Sequence, residues 1–212
     1  MINGKYINQG KEGIVYKCND GTALKIFFRS PEIVQDPFSG RTVLYFGNDE
    51  RAKREYDVLC TLFDAGVNVP KPIGIEEVIL DDADLKYVGQ LRSVCCHEMH
   101  PLNLSGRKLP AVRKQFIRGV SLYDRLIPSL KIRRNIQELH KNIDKVGFSL
   151  MDVKADNYVV TPEGKVYLID CGFMYKHTNT TSSTWMQKRI TTCKFEDWLE
   201  LLILSLKEGD VI

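Results

Sequence analysis

Two neighbouring stretches decide the fold: Phe148-Ser-Leu-Met-Asp-Val-Lys-Ala-Asp-Asn-Tyr-Val-Val160 and Lys165-Val-Tyr-Leu-Ile-Asp-Cys-Gly172. The first contains Asp152-x-Lys154-x-x-Asn157, and the second is an apolar run that ends in Asp170-x-Gly172. Phosphoryl transfer needs these residue types: a carboxylate that orients the attacking hydroxyl, oxygen ligands for magnesium and a cation near the moving phosphate. Taken singly, Asp152 and Asp156 are ordinary loop acids and the Asp170 segment is a simple turn, but the joint spacing favours a phosphoryl-transfer site.

A second pattern lies near the N-terminus. Asn8-x-Gly10-x-x-Gly13-x-Val15 stands between two predicted strands, Lys5–Ile7 and Ile14–Cys18, and Asn19-Asp-Gly21 is a strong hairpin signal. A glycine-rich turn lets backbone N–H groups approach triphosphate oxygens, although the pattern alone is more often a plain hairpin. A third predicted strand, Thr22–Phe28, follows and carries Lys25.

Together these motifs resemble the protein kinase superfamily, whose catalytic and metal loops have the forms D-x-K-x-x-N and D-x-G at this spacing. The resemblance implies that Asp152 is the catalytic base and that Lys154 steadies the γ-phosphate of ATP. Asn157 and Asp170 would bind Mg²⁺, with Mn²⁺ as an alternative ion. Thr22-Ala-Leu-Lys25 matches the V-A-I-K strand of the family, so Lys25 would meet the α- and β-phosphates.

A helix after the third strand is expected to supply the partner of Lys25. Asn48 or Asp49 can cap this helix, which would end near Gly66, and its apolar positions recur at helical spacing. In the family a helix glutamate pairs with the strand lysine. Glu55 is the best candidate because Glu55, Leu59 and Leu62 reproduce the family's stripe, and Glu50 is the alternative. The insert from Ser30 to Gly47 is longer than the family leads one to expect.

The resemblance also implies where ATP binds. A hinge near Glu98-Met99-His100 would offer backbone groups to adenine, and apolar side chains would wall the base. Asn8 replaces the first glycine of the family's loop, and Asn tolerates a left-handed backbone better than most residues. The predicted ATP contacts are Asn8, Gly10, Gly13, Val15, Ala23, Lys25, Glu98, Met99, His100, Val159 and Ile169.

We therefore expect an α+β fold of the minimal two-lobed kinase type, as a single domain over residues 1–212. An antiparallel-sheet N-lobe with one helix would cover about residues 1–96, with strands at Val78–Leu80 and Tyr87–Leu91, a hinge at 97–101 and a truncated helical C-lobe at 102–212. A large helix at Phe195–Leu204 would lie under the catalytic loop. Helices are expected from Leu109 onward, with these residues on buried faces: Phe116, Val120, Tyr123, Leu126, Ile132, Ile136 and Leu139.

Three departures from the family pattern bear on function. Leu150-Met151 stands where the family has His-Arg, so we infer activity that does not wait for phosphorylation of an activation loop. Cys171 replaces the Phe of D-F-G, and packing is the favoured role for its thiol over redox sensing. Lys154, two residues after the catalytic Asp, favours serine/threonine over tyrosine specificity.

A minimal kinase of this kind resembles the type III effector kinases that bacteria inject into host cells, which are virulence factors. Among them it looks most like the group that phosphorylates the host's ninety-kilodalton heat-shock chaperone. One alternative is a small-molecule kinase of the aminoglycoside or sugar type, which usually has H-x-D-x-x-x-x-N and a large acceptor lobe. The other is a nucleotide-binding pseudokinase scaffold, which Asn8, Leu150-Met151 and Cys171 motivate.

Composition excludes several other classes of protein. With 43% hydrophobic and 27% charged residues the chain has the composition of a soluble globular protein. Its longest apolar run, Trp198–Leu206, is too short to span a membrane. Residues 1–7 contain no apolar stretch followed by a small-residue cleavage site, so we do not expect export by the general secretory route. Six cysteines without a C-x-x-C pair indicate reduced thiols, and a net charge of +3 does not indicate nucleic acid. We expect a cytoplasmic monomer or, for an effector, delivery into the host cytosol.

Overall fold

The structure is a computed structural model that describes residues 2–9, 13–28, 33–35, 42–44, 48–85, 106–124, 129–150, 154–172 and 174–176. The chain divides into two compact units: Met1–Asp57 with Lys71–Phe116, and Val58–Pro70 with Ile117–Ile212. The predicted hinge at 97–101, the strand at Tyr87–Leu91 and the helix at Phe195–Leu204 lie outside the described residues. The chain passes from one unit to the other after Asp57, after Pro70 and after Phe116.

The first unit is built on an antiparallel sheet. The strands of this unit are β1 (Gly4–Gln9), β2 (Gly13–Cys18), β3 (Thr22–Phe27), β4 (Ile33–Gln35), β5 (Thr42–Leu44), β6 (Pro72–Ile79) and β7 (Lys108–Gln115). Five of them form one sheet in the order β1-β2-β3-β7-β6, and β4 pairs with β5 alone. Gly21, with φ of 81°, closes the predicted hairpin between β2 and β3. Ile14, Leu24 and Ile26 are fully or almost fully buried in the core of this unit.

Strand β7 corrects the sequence interpretation, which expected helices from Leu109 onward. β7 pairs with β3 on one side and β6 on the other, so Leu109, Ala111 and Val112 are buried. A strand buried on both faces has a nearly continuous apolar run, which periodicity alone does not distinguish from a buried helix. The burial predicted for Val120 and Tyr123 is also wrong, because these side chains are 45% and 72% exposed.

Helix α1 (Asn48–Asp64) confirms the helix predicted between the strands. Leu59 and Leu62 are fully buried, as their helical spacing predicts. The helix ends in a Schellman motif, in which Gly66 has φ of 75°, the N–H of Gly66 donates to the Phe63 carbonyl and the N–H of Val67 donates to the Leu62 carbonyl. The chain direction that follows α1 is therefore fixed by hydrogen bonds to its last carbonyls.

The first unit also contains the short helix α2 (Asp82–Leu85), and helix α1 is divided between the two units after Asp57. The other described elements belong to the second unit. They are β8 (Val120–Ser121), α3 (Leu130–Lys145), β9 (Phe148–Leu150), β10 (Tyr158–Val160), β11 (Val166–Leu168) and β12 (Met174–Lys176). β11, β10 and β8 form one small sheet, and β12 pairs with β9. The predicted apolar face of α3 is confirmed, since Ile132, Ile136 and Leu139 are buried. None of the helices in the described residues is long and apolar enough to cross a membrane.

Replacing Gly13 with alanine is expected to lower the free energy of unfolding by about 2 kcal/mol, as overpacking of a tight site does. A Cβ atom at Gly13 would lie 2.2 Å from the backbone carbonyl oxygen of Ile26 on β3, so the two strands would have to separate. Chemical denaturation measures the change. Gly74→Ala on β6 is the control, because a Cβ there meets nothing within 4 Å. Equal stability of the two variants would show that β2 and β3 are not as close as the structure places them.

Candidate active site

Lys25 lies in the middle of the large sheet. It is on β3, opposite Val15 of β2 and Val112 of β7, and is 6% exposed. A lysine is almost never this buried without a charged or hydrogen-bonding partner. The buried ammonium group therefore needs an anionic partner within the unit.

Glu55 of α1 supplies that anion. Its side chain is fully buried, and Oε2 lies 2.6 Å from Nζ of Lys25. The predicted Lys25–Glu55 contact is therefore present. The alternative residue, Glu50, is exposed in the first turns of α1. The role of this pair in holding ATP phosphates stays a prediction.

Lys114 is a residue that the sequence interpretation missed. It lies on β7 with its side chain 6% exposed, and its Nζ donates to Oε1 of Glu55 at 2.9 Å. Both oxygens of one buried carboxylate thus bind ammonium groups that come from adjacent strands. We call these three residues the Lys25–Glu55–Lys114 cluster. In the sequence, Lys114 lies next to the apolar residues of β7. That position indicates a buried lysine only once the segment is known to be a strand.

The glycine-rich segment is described in part. Asn8 pairs with Val15 across the ladder between β1 and β2, after a bulge between Tyr6 and Asn8, and Gly13 is the first residue of β2. Gly10 lies outside the described residues. Among the side chains predicted to wall adenine, Ala23 is buried and Val15 is half-buried in this unit. The strands that flank the turn are confirmed, whereas its contact with phosphate stays a prediction.

The second unit carries the catalytic-loop and metal-loop motifs. Ala155–Asn157 is a single turn of 3-10 helix that leads directly into β10. The backbone N–H of Ile169 donates to the carbonyl of Asn157 at 2.8 Å, which extends the ladder between β10 and β11 by one step. Asn157 and Asp170 therefore stand at the same end of this two-stranded ladder. Val159 and Ile169, the two other predicted wall residues, are half-buried here.

Asp170 begins a tight turn whose geometry is set by its own carboxylate. The backbone N–H of Gly172 donates to Oδ1 of Asp170 at 3.0 Å. Cys171, between them, is 1% exposed, which agrees with a packing role for this thiol. The D-x-G segment is therefore a defined Asx-type turn with its carboxylate in a fixed direction.

Magnesium would fit the oxygen donors that these motifs provide. The amide of Asn157 and the carboxylate of Asp170 are hard ligands of the kind Mg²⁺ takes together with phosphate oxygens and water. The described residues contain no group of three or more His, Cys, Asp or Glu side chains that could hold a metal by themselves. A magnesium site here would thus depend on the phosphates of a bound nucleotide for further ligands.

Several predicted site residues cannot be placed. Asp152, Glu98, Met99 and His100 lie outside the described residues, so their roles stay predictions. Lys154 is described, and its side chain is exposed immediately before the 3-10 turn. An exposed cation beside the motif is in keeping with the predicted contact to a γ-phosphate.

The side chain of His140, on helix α3, contacts the first residue of β10. Its Nε2 lies 2.7 Å from the hydroxyl of Tyr158, the residue after Asn157, and the two rings stack with centroids 5.8 Å apart. Burial lowers the pKa of His140 from 6.5 to about 4, because the charged imidazolium loses its hydration. His140 is therefore a neutral ring that packs α3 against the strand following the metal-ligand candidate Asn157.

The free energy of unfolding is expected to fall as the pH drops from about 6.5 toward 4, and His140 should contribute at most about 3 kcal/mol of that loss. In this window the unfolded chain binds a proton at His140 and the folded protein does not. The stabilisation that neutral His140 contributes to the folded state is complete above pH 6.5, and it is lost as the pH falls through the lowered pKa of this residue. Urea unfolding at several pH values measures it. His140→Gln, which keeps a polar group near Tyr158 but does not titrate, should show a shallower pH dependence, and identical slopes would contradict the assignment.

Comparison with known proteins supports the fold. No family model matches the chain, and no curated protein sequence matches it. Among solved structures, WbdD at 2.2 Å resolution is similar with a TM-score of 0.52 and 15% identity, over 90% of this chain and 37% of that chain. WbdD in complex with the kinase inhibitor LY294002 is similar with a TM-score of 0.51 and 14% identity, over 92% of this chain and 40% of that chain.

The chain spans about two fifths of the length of these WbdD chains. At such low identity the similarity shows the fold and nothing finer. The antiparallel five-stranded sheet and the helices of the described residues agree with that fold. The chain has a kinase-like α+β fold.

Proposed function

We propose that the chain is an ATP-dependent protein kinase that transfers the γ-phosphate to serine or threonine of a protein substrate. ATP with Mg²⁺, or with Mn²⁺ as the alternative ion, is its cofactor. The observation that carries the proposal is the buried ion pair between Lys25 and Glu55 at 2.6 Å. Burying this pair costs desolvation free energy that burying an apolar pair would not cost. A role in phosphoryl transfer therefore explains the two charges better than a role in stability does.

Each residue has a distinct role in the proposed reaction. Lys25, oriented by Glu55, neutralises charge on the α- and β-phosphates, and Lys154 does so at the γ-phosphate. Asp152 accepts the proton of the attacking hydroxyl, while Asn157 and Asp170 hold the metal. Magnesium, when bound, would offset the charge that develops on the transferred group.

The adenine site of the proposed kinase has apolar walls. Val15 is half-buried and Ala23 is buried in the first unit, and the kinase resemblance assigns both to the apolar surface around adenine. The same resemblance assigns that role to Val159 and Ile169, which are half-buried in the second unit. The glycine-rich turn at Asn8, Gly10 and Gly13 would cover the phosphates. These assignments follow from the kinase resemblance. The hinge role predicted for Glu98, Met99 and His100 is not part of the proposal, because these residues precede β7 and β7 belongs to the first unit.

We further propose that the kinase needs no phosphorylation of its own activation loop and that it is a bacterial effector acting in the host cytosol. Leu150, which replaces the family's histidine, is 3% exposed on β9 and opposite Met174 of β12, so this position serves packing. Met151 occupies the next position, where the family has the arginine that pairs with a phosphorylated activation loop. A cytosolic heat-shock chaperone of the host is the proposed substrate.

The proposal is tested with ATP labelled on the γ-phosphate. Phosphatase-treated protein is incubated with Mg²⁺ and either the purified ninety-kilodalton host chaperone, a panel of sugars and aminoglycosides, or no acceptor. We expect label on serine or threonine of the chaperone. Transfer to small alcohols and never to protein would replace the proposal with a small-molecule kinase. Nucleotide binding without transfer to any acceptor in a host lysate would replace it with a pseudokinase scaffold.

A further inference from the structure

Lys114 lies on the same face of the sheet as Lys25. In the antiparallel ladder between β3 and β7, Lys114 is directly opposite Ala23, and Lys25 is opposite Val112. Directly opposed residues share a face, as do residues two apart on one strand. Lys25 and Lys114 are therefore diagonal neighbours that point toward α1, where Glu55 receives both of them.

The carboxylate of Glu55 is divided between two donors. Oε2 is 2.6 Å from Lys25 and Oε1 is 2.9 Å from Lys114. A carboxylate with one partner can rotate about its terminal bond, because that torsion is broad. A second ammonium on the other oxygen fixes the carboxylate plane and hence the direction in which Oε2 faces Lys25.

Packing alone does not explain an ammonium group at position 114. Lys114 is 5% exposed, so its charge has been removed from water at a cost of several kcal/mol in proteins of this kind. A methionine or leucine would fill similar volume against α1 without that cost. What the lysine adds is a charge-assisted hydrogen bond with a defined direction.

We propose that Lys114 is a positioning residue, which holds Glu55 so that the Lys25–Glu55 pair is already formed before nucleotide binds. The kinetic part of this inference rests on the proposed function. When Lys25 turns part of its hydrogen-bonding capacity toward phosphate oxygens, Glu55 keeps a partner in Lys114, and α1 stays in place. Preorganisation of this kind lowers the cost of aligning charged groups for reaction.

Hydrogen exchange tests the structural part without any assumption about activity. In Lys114→Met we expect the central amides of α1, around Glu55, to exchange about tenfold faster than in the wild type, the change that 1.4 kcal/mol produces. Lys114→Arg should restore most of the protection. Lys108→Met is the matched control, because Lys108 is on the same strand but its side chain is 66% exposed. Wild-type exchange in Lys114→Met would overturn the proposal.

Steady-state kinetics tests the functional part. In Lys114→Met kcat for ATP should fall about tenfold while KM for ATP changes much less, because Lys25 is still present to bind phosphate. In a Lys25→Met background, Lys114→Met should cause little further loss, since Lys114 acts through Lys25. Multiplicative losses would overturn the positioning role and indicate that Lys114 acts independently of Lys25.

The hydrogen-exchange and kinetic experiments together distinguish failure of this inference from failure of the proposed function. If the wild-type protein transfers phosphate to no acceptor, the kinase proposal fails, and hydrogen exchange still decides whether Lys114 holds α1. Should Lys114→Met not fold, Lys114→Gln takes its place with the same expectations, because glutamine removes the charge and keeps a polar side chain. Unchanged exchange in the glutamine variant would overturn the inference equally.

Discussion

Asp170→Asn is expected to reduce ATP-dependent phosphoryl transfer by about 10³-fold or more, as loss of a charged group at a transferring phosphoryl does. Asparagine keeps an oxygen that can accept the N–H of Gly172, which Oδ1 of Asp170 now accepts at 3.0 Å. The turn is therefore preserved while one negative charge is removed from the proposed metal site. Initial rates of γ-phosphate transfer at saturating Mg²⁺ and ATP measure the loss.

Asp156→Asn is the matched control for this variant. Asp156 is an exposed carboxylate in the 3-10 turn before β10, so its removal changes the charge of the same segment by the same amount. We expect wild-type transfer from this control. Near-normal transfer by Asp170→Asn, in protein whose unfolding transition matches the wild type, would remove Asp170 from the metal site.

The Lys25–Glu55 contact was predicted from the resemblance to the kinase family, whose motifs place a lysine on the third strand and a glutamate on the helix that follows. Lys25 is in a short β-type run behind a hairpin signal, and Glu55 is on the same helical stripe as Leu59 and Leu62, which are fully buried. A carboxylate on a buried stripe needs a cation. The two residues are 30 positions apart, and the intervening insert did not disturb either local pattern.

Lys114 could not be predicted because its meaning depends on non-local strand pairing. Its segment is compatible with helix or strand by composition, and it is 59 positions from Glu55 in the sequence. Once Lys108–Gln115 is placed between β3 and β6, alternation along the strand puts Lys114 on the face of Val112 and Ala23. The same error displaced the expected unit boundary, since the sequence interpretation assigned this strand to the helical lobe.

Burial was predicted well where one face of an element repeats. The predicted apolar positions of α3 recur at helical spacing, and the structure buries all three of them, Ile132, Ile136 and Leu139. It was predicted poorly around Val120 and Tyr123, where a two-residue strand and a turn give no period to read. A repeating pattern can be recognised only in a long helix or strand, so the short strands near the candidate site were located by the spacing of the motifs instead.

Glu55→Ala is expected to lower the free energy of unfolding by about 3–5 kcal/mol, the usual cost of leaving a buried charge without its partner. Glu55 is fully buried and contacts both Lys25 and Lys114, so its loss removes the carboxylate that the two buried ammonium groups share. Urea denaturation measures the change. The control is Glu77→Ala, because Glu77 is 69% exposed and its contact with Lys108 is 3.4 Å long, which should cost at most about 0.5 kcal/mol.

A triple variant separates the stability of the Lys25–Glu55–Lys114 cluster from its function. Replacing Lys25 and Lys114 with methionine and Glu55 with leucine removes every charge of the cluster while keeping much of its volume. Buried ion networks exchanged for apolar residues are often as stable as before or more so, and we expect the triple variant to recover the stability that Glu55→Ala loses. It should also lose phosphoryl transfer. Recovered stability without activity would mean that the cluster's charges serve the reaction, because the fold can do without them. A triple variant as unstable as Glu55→Ala would instead assign the cluster to holding α1 against the sheet.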